Sequence, residues 1–351
     1  MNKLELTLQK IKPLDVDVMK RTQKRLDELT KPPGSLGVLE DIAKQIAGIT
    51  GNVIPELPKK AAILMAGDHG IVKEGVTPYP QEVTAQMVLN FVNGGAAMSV
   101  LTRHENADLY VVDIGVATDL PDLPNIIKRK VAYGTKNMAE GPAMTEAEAI
   151  RALEVGIEIT EEVINGGVGL IAIGEMGIGN TSPSTAIIST YSGLSVKEVV
   201  GRGTGVDDER LKTKIEAIEK ALEVNKPDPA KPIDVLSKVG GLEIAGMAGV
   251  ILACAANRVP VIIDGFISGA AAVIASEIAP LAKNYMLGSH LSEEPGHRVM
   301  LDYLKIKPML IMNMRLGEGT GAALAMNLVD ASLKTLKEMS TFAEAGISSK
   351  D

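Results

Sequence analysis

The sequence predicts an α/β protein built on a doubly wound, mostly parallel six-stranded sheet, with a small helical domain made from both chain ends. Three observations carry this expectation. Six short apolar runs recur, and each closes in a Gly-rich polar loop. The runs are continuous rather than alternating, as strands buried on both faces of a parallel sheet require. Helical periodicity separates most of them, which gives the strand-then-helix repeat of a wound sheet.

The chain begins with helix. Residues 14–49 place Leu36, Leu39, Ile42, Ile46 and Ile49 on one stripe and carry no strand signal. Within them, KPPGSLG (31–37) is a proline-fixed turn, read as a connector between helices. The first run, AAILMAGDHG (61–70), precedes a helical pattern over 80–105, and LYVVDIG (109–115) is the second. A helix over 145–165 puts Ile150, Leu153, Ile157 and Ile164 on one face, with Thr145 and Glu148 as a capping box at its start. The third run, VGLIAIGEMGIGN (168–180), leads to Ser182 and Pro183, an N-cap and first helical position.

Further on, Leu211, Ile215, Ile218 and Leu222 mark an amphipathic helix over 207–224. The runs VPVIIDG (259–265), NYMLGSH (284–290) and PMLIMNMRLGEG (308–319) complete the sheet, and a last helix over 320–342 aligns Val329, Leu333, Leu336 and Met339. The apolar stripes at the two ends need cover from each other or from a second subunit. The expected division is 1–55 and 319–351 for the helical domain and 56–318 for the large α/β domain.

Composition narrows the function classes. A formal charge of −8, with no Lys/Arg-rich run, argues against a nucleic-acid footprint. The single Cys254 permits no internal disulfide and no multi-cysteine metal cluster, as suits a reducing cytoplasm. The N-terminus alternates charge with leucine and lacks a signal-peptide core. The most apolar region, 244–282, is broken by Asn257, Arg258, Pro260 and Asp264, which argues against a membrane span. A cytoplasmic protein is expected.

Ligands of an open parallel sheet bind beyond the carboxyl ends of its strands. Here those ends carry Asp68 and His69, Asp113, Glu175 and Asn180, Asp264, Ser289 and His290, and Arg315 and Glu318. GEMGIGNTSPS (174–184) runs from a strand into a helix start, so its amides can converge on an anion. GRGTG (201–205) is a second such loop, followed by a helix carrying Lys214. Either the two loops and Lys214 hold a phosphate, or the glycines only make tight turns; the sequence leaves both open. Neither loop is a Walker A or a GxGxxG fingerprint.

Glu318 lies between Gly317 and Gly319 at a helix start. A carboxylate there stabilises the helix by about 0.3–1 kcal/mol through the dipole. The flanking glycines also let a ligand approach closely, and Arg315 could orient the acid or hold an anionic group. The combination favours a general base. His69, His104, His290 and His297 match no zinc spacing, so no metal is expected. Asp68 and His69 are expected to shape the pocket by hydrogen bonds.

Taken together, KPPGSLGVLE, MAGDHGI, YPQEVTAQM, GEMGIGNTSPS, KVGGLEIAGMAGV, DGFISGAAA and MRLGEGTGAALAM resemble, in order and over roughly residues 14–345, the nicotinate-nucleotide:dimethylbenzimidazole phosphoribosyltransferases of cobalamin lower-ligand synthesis. The resemblance implies a Rossmann-like large domain, a homodimer and no cofactor. It implies transfer of the 5-phosphoribosyl group from nicotinate mononucleotide to 5,6-dimethylbenzimidazole, giving α-ribazole 5′-phosphate and nicotinate. Glu318 then matches the family's catalytic base. By the same resemblance Gly177, Gly179, Asn180, Thr181, Gly203 and Lys214 would hold the phosphate. Tyr79, Gln86, Met87, Glu175, Met176 and Arg315 would line the pocket for acceptor and ribose.

The sequence departs from the best-known family pattern, which has serine at the position of Tyr79 and glutamine at that of Met87. A less polar pocket would suit other benzimidazoles, or a phenol as in relatives that work as heterodimers with a paralogue. A nucleotide-cofactor oxidoreductase and a silent partner subunit are the competing readings. The missing GxGxxG counts against the first, and retention of Glu318, Lys214 and both glycine loops against the second.

Overall fold

The computed structural model of the protein describes residues 1–203 and 205–348. Its centre is a fully parallel sheet of seven strands: β1 (Lys60–Gly67), β2 (Asp108–Gly115), β3 (Ile126–Lys128), β4 (Leu170–Met176), β5 (Val261–Ile263), β6 (Met286–His290) and β7 (Pro308–Leu310). Their spatial order is β3-β2-β1-β4-β5-β6-β7, so the winding direction reverses between β1 and β4. That reversal opens the crevice in which such sheets bind ligands.

The sequence predicts six strands, and β3 is the addition. Its three residues, Ile126, Ile127 and Lys128, follow a proline-punctuated stretch and form no run long enough to stand out, yet they pair with Val111, Val112 and Asp113 of β2. The last run also gives less strand than expected. Only Pro308–Leu310 pairs, and the chain then leaves the sheet as a loop with Ile311, Met312 and Leu316 exposed.

Why the runs are continuous is visible in β1. Ala61, Ile63 and Met65 enter one apolar core, while Ala62, Leu64 and Ala66 enter the other, so both faces are covered. On the first face lie helices Glu146–Asn165, Leu242–Ala256 and Phe266–Ile278. The first two come unusually close, because a Cβ on Gly156 would collide with the Gly246 carbonyl and one on Gly249 with the Leu153 carbonyl. The predicted capping box is present: Thr145 Oγ1 accepts from the Glu148 amide at 3.1 Å and Glu148 accepts from the Thr145 amide at 2.7 Å.

The second face is covered by helices Val38–Thr50, Glu82–Val92, Ala97–His104 and Thr320–Glu338. Helix Val38–Thr50 packs against both Val16–Glu28 and Thr320–Glu338, and Leu29 bridges to Thr341. The two chain ends therefore meet each other, and Thr320–Glu338 also rests on β4, β5 and β6. KPPGSLG joins two helices, with Lys31 buried against Glu40 at 2.8 Å. Among the described residues no helix is long and apolar enough to cross a membrane.

Helix Thr181–Ser192 starts two residues earlier than the expected Ser182 cap and Pro183 start, with Asn180 at the cap. The Asn180 side chain makes no capping bond there, and its Nδ2–H group donates to Glu175 Oε2 instead. Pro183 falls in the first turn, where its missing N–H leaves no intrahelical bond unmade.

Candidate active site

A cavity of about 620 Å³ lies beyond the carboxyl ends of β4, β5 and β6. Strand β4 delivers Glu175 and Met176 to its wall, and the following turn brings Gly177, Gly179, Asn180 and Thr181. Lys214 enters from helix Asp208–Asn225, almost fully buried, and Gly203 from the second glycine loop. Tyr79 and Met87 stand on another side, and Arg315 and Glu318 come from the loop after β7. Gln86 is not brought there: it is exposed, one residue out of phase with Met87 on the same helix. Thr204 of the GRGTG loop lies outside the described residues.

Glu318 sits in an unusual backbone. Gly317, Glu318 and Gly319 have φ of 85°, 64° and 99°, three left-handed residues in succession. For a residue with a Cβ this costs on the order of 1 kcal/mol. The neighbouring strand ends hold it there. The Glu318 amide donates to Glu175 Oε1 at 3.1 Å, and the Gly319 amide to Asp264 Oδ2 at 3.1 Å. The loop can lie this close only because β4 has a glycine at 174, where a Cβ would collide with the Glu318 carbonyl oxygen.

The Glu318 carboxyl group accepts one long bond, 3.4 Å, from the Met98 amide at the start of helix Ala97–His104. Burial pushes it above the usual carboxylate range; the Met98 bond opposes this and the nearby Asp264 charge adds to it. Glu175 is more strongly affected. Burial raises it to about 8, against hydrogen bonds from the Glu318 amide and the Asn180 side chain.

Also in the cavity lining, Lys214 Nζ donates to Thr181 Oγ1 at 2.8 Å and to the Gly201 carbonyl at 3.1 Å. An ammonium has three N–H groups, so one remains for a ligand. Burial lowers this lysine to about 8, with Glu294 partly offsetting the effect. The amides of Gly179 and Thr181 donate to no described residue. Gly203 differs, because its amide already donates to Glu294 Oε1 at 2.9 Å. Its contribution in this state is to let the chain pass close to Thr181 and Lys214, at φ 52°.

The matching family model, described as phosphoribosyltransferase, spans residues 11–347. The chain belongs to this family. It is 54% identical over 351 residues to the nicotinate-nucleotide--dimethylbenzimidazole phosphoribosyltransferase of Geobacter sulfurreducens, with 100% of both chains covered. To the protein of the same name from Chloroflexus aggregans it is 55% identical over 350 residues, covering 100% of this chain and 99% of the other. The crystal structure of CobT from Thermus thermophilus superposes with a TM-score of 0.92 at 45% identity, covering 95% of this chain and 100% of that one.

Several residues of the site escaped the sequence reading. Phe266, Ile267, Ser292 and Glu294 also line the cavity, whereas His290, expected at its strand end, is there as well. Their signals were the polar ends of DGFISG and SHLSEEPGH, too short to assign roles. Asp68 and His69 stand elsewhere than expected. His69 Nε2 meets Glu243 Oε1 at 2.6 Å and Asp68 Oδ2 accepts from the Ala117 amide at 2.8 Å, and neither residue lines the cavity. Gly177 separates them from it: a Cβ there would lie 3.2 Å from His69 Nε2.

Proposed function

We propose that this protein transfers the 5-phosphoribosyl group of nicotinate mononucleotide to 5,6-dimethylbenzimidazole, releasing nicotinate and forming α-ribazole 5′-phosphate. The observation that carries the reading is one cavity lined by both a buried acid, Glu318, and a buried cation, Lys214, the latter beside unengaged loop amides. The names of the full-length relatives support the same donor and acceptor.

In this reading Lys214 and the Gly177–Thr181 turn bind the 5′-phosphate, where the amides at the start of helix Thr181–Ser192 favour an anion. Met87, Met176 and Tyr79 form the apolar wall against which the acceptor ring lies. Glu318 takes the proton from one nitrogen of the benzimidazole as the other nitrogen forms its bond to ribose C1′. The electrons of the breaking C1′–N bond return to the pyridinium ring, which leaves as neutral nitrogen and needs no acid. Attack opposite the leaving group inverts β to α. A base whose affinity for protons is raised by burial accepts that proton more readily than an exposed carboxylate would. Positioning by the phosphate anchor supplies much of the rest.

The working unit in this reading is a homodimer in the cytoplasm, with the small helical domain formed by residues 1–55 and 319–351. The loop after β7 supports the dimer: Ile311, Met312 and Leu316 are 75%, 53% and 59% exposed next to the cavity mouth, a cost in water that a second subunit would remove. Nicotinate release from nicotinate mononucleotide by the purified chain, dependent on dimethylbenzimidazole, tests the proposal. Formation of the α-anomer supports it, and absence of any acceptor-dependent nicotinate release overturns it.

A further inference from the structure

We propose that Asp264, which the cavity does not expose, is a positioning residue that holds Glu318 in its reactive place. The inference rests on the reading of Glu318 as the base. Asp264 follows β5 directly and is buried, so it has no route to substrate and can act only through its neighbours.

Those neighbours are specific. Oδ2 accepts from the Gly319 amide at 3.1 Å and Oδ1 from the Ala322 amide at 3.0 Å. One carboxylate therefore grips both the residue after Glu318 and the first turn of helix Thr320–Glu338. The same Oδ1 lies 3.8 Å from His290 Nδ1 on β6, whose ring also contacts Ser289 Oγ at 3.0 Å and lines the cavity. A Cβ on Gly321 would collide with that ring, so the helix start and the imidazole are fitted to each other. From β4, Glu175 holds the Glu318 amide. Two adjacent strand ends thus bond to one left-handed segment, Glu175 to Glu318 itself and Asp264 to the residue after it, while His290 packs against the helix start that follows.

A carboxylate offers two acceptor oxygens, and an amide of the same shape offers one. In Asp264→Asn either the Gly319 or the Ala322 amide faces a second N–H, and the segment must shift to relieve it. A displacement of about 1 Å in a reacting group can lower a rate by about 10²-fold. The phosphate end, with Lys214 and Thr181, shares no bond with Asp264.

The test compares wild type, Asp264→Asn, Glu318→Gln and the double variant, reading kcat, KM and direct nicotinate mononucleotide binding. The expected result is a kcat at least tenfold lower in Asp264→Asn with donor binding within about twofold. In the Glu318→Gln background the same substitution is expected to change the residual rate by less than twofold, because its route of action is already gone. Losses that multiply in the double variant overturn the proposal, as does a kcat within twofold of wild type, or donor binding that weakens in step with loss of folded protein. If Asp264→Asn does not fold, Asp264→Glu carries the same comparison, since it keeps the charge and moves the oxygens. A wild-type chain without turnover would count against the proposed function instead.

Discussion

The Glu318 amide donates to Glu175 Oε1 at 3.1 Å, so the backbone of one buried acid is fixed by the side chain of another. Burial raises Glu175 to about 8 from an ordinary value of 4.5. Between those values the folded chain holds a proton that the unfolded chain releases. The associated stability is fully present below 4.5 and is lost as pH rises through about 8. Glu175→Gln is expected to flatten part of the fall in Tm over that window. A variant whose Tm declines as steeply as wild type would contradict the assignment.

Lys214 is shifted in the other direction. Burial holds it near 8, so a donor phosphate bound by its charge should be released more easily as pH rises through that value. Lys214→Met removes the charge while keeping most of the volume. With a charge-assisted bond worth about 1.5–3 kcal/mol, mononucleotide affinity should fall roughly ten- to hundredfold. Calorimetric titration with nicotinate mononucleotide and with nicotinate riboside checks this: wild type should discriminate between them and the variant should not. Equal wild-type affinity for both would remove Lys214 from phosphate binding.

Gly174 has no side chain because Glu318 needs the space. In Gly174→Ala the new methyl group strikes the Glu318 carbonyl oxygen, and neither β4 nor the clamped loop can retreat cheaply. Overpacking of this kind costs about 1–3 kcal/mol. A Tm lower by several degrees and a turnover at least tenfold lower are expected together. Turnover equal to wild type would show that the loop geometry does not matter.

The pocket wall gives a paired test on one helix. Met87 lines the cavity and Gln86 does not. Met87→Ala is expected to raise the KM for dimethylbenzimidazole several-fold, whereas Gln86→Ala should stay within twofold of wild type. The reverse order would mean that the helix presents its other face to the acceptor.

Much of this architecture was readable from the sequence because burial on two faces leaves long apolar runs, and six of the seven strands have them. β3 was not readable, since three residues paired at a sheet edge leave no periodicity to detect. Glu318 stood out because glycines flank it, and the two left-handed glycines around a left-handed acid explain that pattern. The grip on it did not stand out. Glu175 and Asp264 lie 143 and 55 residues from their partners in the loop, and only the strand order brings them together. Asp68 and His69 show the converse: a strand end pointed to the crevice, but Gly177 lets the His69–Glu243 pair pack behind the wall instead.

The most direct measurement is turnover by Glu318→Gln beside its binding of nicotinate mononucleotide. A near-complete loss of nicotinate release, with donor affinity within a few-fold of wild type, is the expected result. Wild-type turnover in that variant would mean that the proton of the incoming base goes elsewhere, and would contradict the central role given to Glu318.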